Sequence, residues 1–142
     1  MKGVRLLVSA TVLAGITFIV FAAPAFAYTT DQATQGKVLY GKNCAVCHGA
    51  NGEGGIVPAQ FAKIAGKKAS PVAGPGYLPK MKTAGQAYEF AKKNMPADRP
   101  GSLKGSEYLE IISFALQAND VKPDGKPLTP TSAKKIKLSG GE

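Results

Sequence analysis

Two cysteines and the chain's single histidine fall within five residues, in the run Cys44-Ala45-Val46-Cys47-His48-Gly49. A Cys-x-x-Cys-His run reads as a c-type haem attachment site. On a short helical turn, thiols at i and i+3 reach the same side and can add across the two vinyl groups of one porphyrin. His48 comes next on that turn, so its imidazole points at the iron as a proximal ligand. A chain bearing this run is expected to build its fold around one covalently held haem c.

Other uses of the same residues are less well served. A thioredoxin-like Cys-x-x-Cys belongs to a βαβ setting, and no strand pattern precedes Cys44. Structural zinc takes four Cys, His or carboxylate ligands, whereas two Cys and one His are present. A plain Cys44–Cys47 disulfide would leave His48 without a role.

The N-terminus has the pattern of an export signal. Lys2 and Arg5 form a basic start, residues 6–23 are uncharged and largely apolar, and Ala25-Phe26-Ala27 supplies a small-x-small cleavage site. Residues 1–27 are therefore expected to be a signal peptide cleaved after Ala27, with Tyr28 opening the mature chain in the periplasm. A membrane association is expected only if that segment stays uncleaved, since its length is just enough to span. Residues 28–142 suffice for one compact domain. They divide into a core at 28–119 and a C-terminal extension at 120–142. The apolar residues alone make a thin core, which a buried porphyrin would thicken. Export also suits the cysteine pair, which an oxidising compartment would otherwise close.

The formal charge is +9, of which Lys2 and Arg5 contribute two. A basic surface favours acidic partners and electrostatically steered encounters. Nucleic acid is not expected, because no matching motif accompanies the charge.

Along the chain the periodicity is helical. Thr29-x-x-Gln32 has the form of a capping box and predicts a helix over 31–41 that leads into the haem motif, with Gly36 and Tyr40 on one face. Residues 49–55 (GANGEGG) are too rich in glycine for a helix and lack the Gly-Lys-Ser/Thr ending of a phosphate loop. They are expected to turn tightly around a porphyrin edge. From Ile56 to Lys82, four prolines argue against regular structure, apart from a helical turn at Gln60–Ile64. Thr83-x-x-Gln86 predicts a second capped helix over 84–94, with Ala87, Phe90 and Ala91 on one face and Tyr88 beside it. Pro96 ends it. A third helix over 104–118 carries the apolar stripe Tyr108, Ile111, Ile112, Ala115 and Leu116, extended by Phe114. The tail beyond Val121 admits two forms: a packed strap anchored by Leu128, Ile136 and Leu138 with a helical turn at 131–137, or a solvated end.

Once residues 1–27 are removed, Met81 and Met95 are the remaining methionines and no second histidine exists. A thioether opposite the imidazole favours reduced iron. Met95 sits on a Pro-braced loop between two amphipathic helices and is the preferred candidate. Met81, between Lys80 and Lys82, is the runner-up, and an open or exchangeable position remains.

With Gly36-x-x-x-Tyr40-x-x-x-Cys44-x-x-Cys47-His48-Gly49 and the segment 94–103 (NMPADRPGSL) in view, residues 29–119 resemble a class I monohaem c-type cytochrome. The 94–103 segment, with Tyr108 and Ile111–Phe114, more narrowly resembles bacterial cytochromes serving quinoprotein dehydrogenases or terminal oxidases. The resemblance implies an all-α cytochrome c fold, three to five helices around one covalently bound haem, with an irregular C-terminal tail. It implies thioethers at Cys44 and Cys47, axial ligation by His48 and Met95, and a crossing that presses Gly36 and Tyr40 against Ile111 and Phe114. It also implies that a first-loop proline, Pro58, accepts the imidazole hydrogen bond through its carbonyl. Two departures stand out: Lys104-Gly105 replaces the usual Ser/Asp helix start, and the tail extends past the usual end.

The expected function is electron carriage, not enzymatic catalysis. Iron would cycle between Fe(III) and Fe(II) by outer-sphere transfer between a donor such as a dehydrogenase and an oxidase-type acceptor. Lys42, Lys63, Lys67, Lys68, Lys80, Lys82, Lys92 and Lys93 are expected to ring the exposed haem edge and meet the acidic docking face of a redox protein, whether dehydrogenase, oxidase or another cytochrome. Two alternatives are a haem-bearing subunit of a larger oxidoreductase complex and a peroxidase-like enzyme with a labile Met95. The missing distal acid/base machinery counts against the second.

Overall fold

The computed structural model describes residues 27–78 and 80–138. All of the expected signal segment except Ala27 lies outside the described residues, as does Pro79. The described chain is all-α, with helices α1 (Thr30–Asn43), α2 (Ala45–His48), α3 (Ala84–Asn94), α4 (Gly105–Ala118) and α5 (Pro130–Ala133). One feature the periodicity did not foretell is a two-residue ladder between β1 (Gly55–Ile56) and β2 (Lys68–Ala69), antiparallel, with Gly55 opposite Ala69. No described helix is long and apolar enough to cross a membrane.

The caps explain the helix starts. The Thr29 hydroxyl accepts from Gln32 N at 3.1 Å, and the Gln32 amide oxygen accepts from Thr29 N, completing the box. At α3 the box is half made: Thr83 caps Gln86 N, but the Gln86 side chain accepts instead from Lys82 N at 2.7 Å. The unusual Lys104-Gly105 start of α4 is served by the Glu107 carboxylate, which accepts from Lys104 N at 2.6 Å and also suits the positive end of the helix dipole.

Helix α4 is the centre of the fold, buried at Tyr108, Leu109 and every position from Ile111 to Leu116. Ser113 is fully buried and returns its hydroxyl to Leu109 O at 2.8 Å, so no donor is stranded. Helix α1 crosses α4 at Gly36, where a Cβ would lie 1.8 Å from the Glu110 carbonyl oxygen. The expected crossing is present: the Tyr40 and Phe114 rings sit 5.0 Å apart at a 44° tilt, in one cluster with Ile111. Helix α3 shows the expected face: Ala87, Phe90 and Ala91 border one cavity, and Ala84, Gly85 and Tyr88 are buried beside it.

The tail is a packed strap. Leu128, Ala133, Ile136 and Leu138 join Tyr28, Tyr88, Tyr108 and Leu116 in the main apolar cluster. Backbone bonds tie it to α3, from Ala84 N to Ile136 O at 2.9 Å and from Leu138 N to Lys82 O at 3.0 Å. The Gln32 amide grips both polar groups of Leu128, accepting from its N at 2.7 Å and donating to its O at 3.1 Å. The regular helix here is shorter than the expected turn at 131–137, because Pro130 opens it at N1 and the chain leaves it to pair Lys137 with Thr83.

Two stability predictions follow from this packing. Gly36→Ala should lower unfolding free energy by about 3 kcal/mol, because a Cβ cannot enter without parting two helices. Leu128→Ala should cost about 2–5 kcal/mol, whereas a solvated tail would lose nothing; denaturant titration of the holoprotein reads both.

Candidate haem site

A cavity of about 520 Å³ opens between the Cys-x-x-Cys-His turn, α4 and the segment that follows α3, within the range of cofactor pockets. Val57, Phe61, Ile64 and Val72 contribute apolar wall from the middle loop, and Leu103, Ile111, Ile112 and Ala115 from around α4. Cys44, Cys47, His48, Met81 and Met95 all border it. The donor set therefore fits a c-type haem: two thiols and an imidazole on one local turn, and thioethers on the same cavity.

The turn is built by short-range bonds. Cys44 N donates to Tyr40 O at 2.8 Å and ends α1, and His48 N returns to Cys44 O at 3.0 Å. Gly54 N then donates to His48 O at 2.7 Å, with Gly54 at φ 85°, so the glycine-rich loop folds back onto the histidine. Tyr40 donates its hydroxyl to Gly49 O at 2.8 Å, tying the loop start to the helix crossing. Burial, with Cys44 and Glu53 nearby, holds that phenol above its ordinary value, so it remains a donor.

The imidazole partner corrects the expectation for Pro58. His48 Nδ1 lies 2.8 Å from the carbonyl oxygen of Ser70, while the Pro58 carbonyl accepts from Phe61 N at 3.1 Å in the turn that opens the middle loop. A carbonyl can only accept, so Nδ1 carries the proton, which leaves Nε2 as the ring nitrogen suited to a metal. Ser70 leads directly out of β2, and the β1–β2 pairing brings it back to the motif.

The thiols are free. Burial pushes Cys44 up to about 11; the nearby Arg99 pulls it down and Cys47 adds to the rise. Cys47 is also raised, by burial and then by Asp98. Redox and nucleophilic cysteines need the opposite shift, so the electrostatics do not resemble a thioredoxin-like site.

Met95 caps the end of α3, its N donating to Ala91 O at 2.8 Å and its O accepting from Gly101 N at 3.2 Å. Met81 borders the same cavity while packing against the main apolar cluster. Of the eight lysines singled out above, Lys67, Lys68 and Lys80 reach the cavity. Lys92 lies over the Tyr88 ring at 5.9 Å, and the Lys82 backbone is engaged by the tail. Sequence reasoning passed over Asn43, Arg99 and Asn119. Arg99 donates to Asn43 Oδ1 at 2.9 Å, joining the 95–103 loop to the residue before Cys44. The Asn119 amide binds Gly74 N, Val72 O and Ala115 O, fastening the middle loop to α4.

No curated protein matches the chain in sequence. Among solved structures, the sulfane dehydrogenase SoxCD of Paracoccus pantotrophus contains a chain with a TM-score of 0.53 and 22% identity. The alignment covers 80% of this chain and 60% of that one, and likeness at this level concerns the fold alone. The family described as cytochrome C oxidase, cbb3-type, subunit III matches residues 31–114, from the first turn of α1 into α4 and across the whole attachment run. The match spans more than half of the chain, which belongs to this family and has a c-type cytochrome-like fold.

Proposed function

We propose that the chain is an exported electron carrier with one haem c, held covalently by Cys44 and Cys47 and ligated by His48 and Met95. The observation that carries this reading is the convergence on one apolar cavity of the two motif thiols, the His48 imidazole held by Ser70 O, and the Met95 and Met81 thioethers. The bound haem would supply one-electron chemistry between Fe(III) and Fe(II). The residues do the rest. Ser70 O orients His48 and strengthens its basicity, and the helix crossing fixes the turn that bears both thiols. Apolar side chains from the middle loop and α4 keep water from the ring. With His48 and Met95 both holding the iron, no substrate would reach the metal, and the protein would act as a carrier, not an enzyme. We assign it to the periplasm after cleavage behind Ala27, so the mature N-terminus should read Tyr28.

Lys67, Lys68 and Lys80 beside the cavity favour a redox partner with an acidic docking face. Under this reading an oxidase-type acceptor, in keeping with the family's description, takes the electron from a dehydrogenase-type donor. A second reading is a haem-bearing subunit of a larger complex, in which Ile56, 63% exposed and outside the cavity lining, and the lysines beside the cavity would form a standing interface. Size-exclusion chromatography with candidate partners separates a shuttle from a subunit.

Expression with haem-maturation machinery should yield a coloured protein whose mass includes one haem. Met95→Ala should change its oxidised spectrum and Met81→Ala should not; the reverse outcome would transfer the ligand role to Met81. Electron transfer to an acidic partner should slow as salt rises. Replacing Lys67, Lys68 and Lys80 together by Gln should flatten that dependence, and a rate indifferent to salt in the parent protein would remove the docking role.

A further inference from the structure

Tyr108 is 2% exposed, lies in the first turn of α4 and borders the haem cavity. Its hydroxyl donates not to a neighbour on its own helix but to the backbone oxygen of Met95, at 2.6 Å. The other bond to that oxygen is the longer one from Gly101 N, at 3.2 Å. Farther along the same loop, Arg99 reaches back to Asn43 on α1. The segment bearing Met95 is thus tied from both crossing helices, at its first residue by α4 and at its middle by α1.

We propose that Tyr108 is the positioning residue that keeps the Met95 thioether on the haem iron and shuts out competing ligands. This rests on Met95 being the axial ligand. A thioether is a weak ligand, and its occupancy depends on how little freedom its backbone regains when it leaves. The Tyr108 bond acts in that closed state: its donor comes from a buried side chain on the central helix, so the Met95 carbonyl cannot swing away without abandoning it. An incoming ligand binds only the fraction of molecules whose Met95 has left, so its apparent affinity rises with that fraction.

Imidazole titration of the oxidised holoprotein tests the assignment. Tyr108→Phe keeps the ring and removes the hydroxyl, and the loss of one such bond should raise apparent imidazole affinity roughly five- to tenfold. The thioether-to-iron charge-transfer band should weaken in parallel. Tyr28→Phe is the control, since it deletes a comparable phenol bond, to Val121 O at 2.5 Å, from a side chain that does not line the cavity; it should lower thermal stability and leave imidazole affinity unchanged. If Tyr108→Phe also loses stability with no change in imidazole affinity or in the band, Tyr108 is a packing residue and the proposal is overturned. Met95→Ala keeps the two failures apart: an unchanged oxidised spectrum in that variant refutes Met95 ligation itself. A changed spectrum there, with a silent Tyr108→Phe, refutes only the positioning role.

Discussion

Helix α1 meets α4 backbone to backbone at Gly36, and the site inherits its geometry from that contact. Packed helices ordinarily stand 8–10 Å apart, held off by side chains. Here the Glu110 carbonyl occupies the place of a Gly36 Cβ, so the helices approach more closely than any larger residue would allow. One turn later Tyr40 and Phe114 close the crossing. Cys44 follows α1 directly, and α4 supplies Ile111, Ile112 and Ala115 to the opposite wall. The distance between attachment point and wall is therefore set by a missing methyl group.

A second brace comes from the C-terminal strap, which lies beyond the region matched by the family. Gln32 completes the α1 capping box and holds Leu128 with the same amide. The strap's far end pairs with the chain entering α3 at Thr83 and Ala84. Because α3 ends at Met95, the strap registers the helix that leads to the methionine against α1, which runs directly into the Cys44–His48 turn. A side chain read as a simple helix cap thus also links the two halves of the cavity.

The corrections share a cause. Pro58 was a reasonable acceptor for His48 by analogy, yet its carbonyl is used within its own turn, and the ladder between β1 and β2 delivers Ser70 instead. Helical spacing puts Ala87, Phe90 and Ala91 on one face of α3 but does not say what that face meets; the fold turns it to the cavity and buries Tyr88 in the core. The lysines are alike in composition, and only three of the eight reach the cavity. Asn43 and Asn119 carry no motif, and nothing in the 94–103 segment marks Arg99 for a role. Their importance lies in bonds spanning 45 to 56 residues of chain.

What the sequence determined by itself is local chemistry. Two thiols and an imidazole within five residues share a helical turn wherever that turn is placed, and Thr29 with Gln32 starts a helix through bonds three residues long. The all-α character and the Gly36–Tyr40 contact face are legible for the same reason, since helical periodicity is written every three or four residues. The tertiary structure alone decided the imidazole's acceptor, the packing of the tail and the hold of Tyr108 on Met95. Those depend on which distant backbone groups remain unpaired after the helices cross, a property of the assembled packing that no stretch of residues encodes alone.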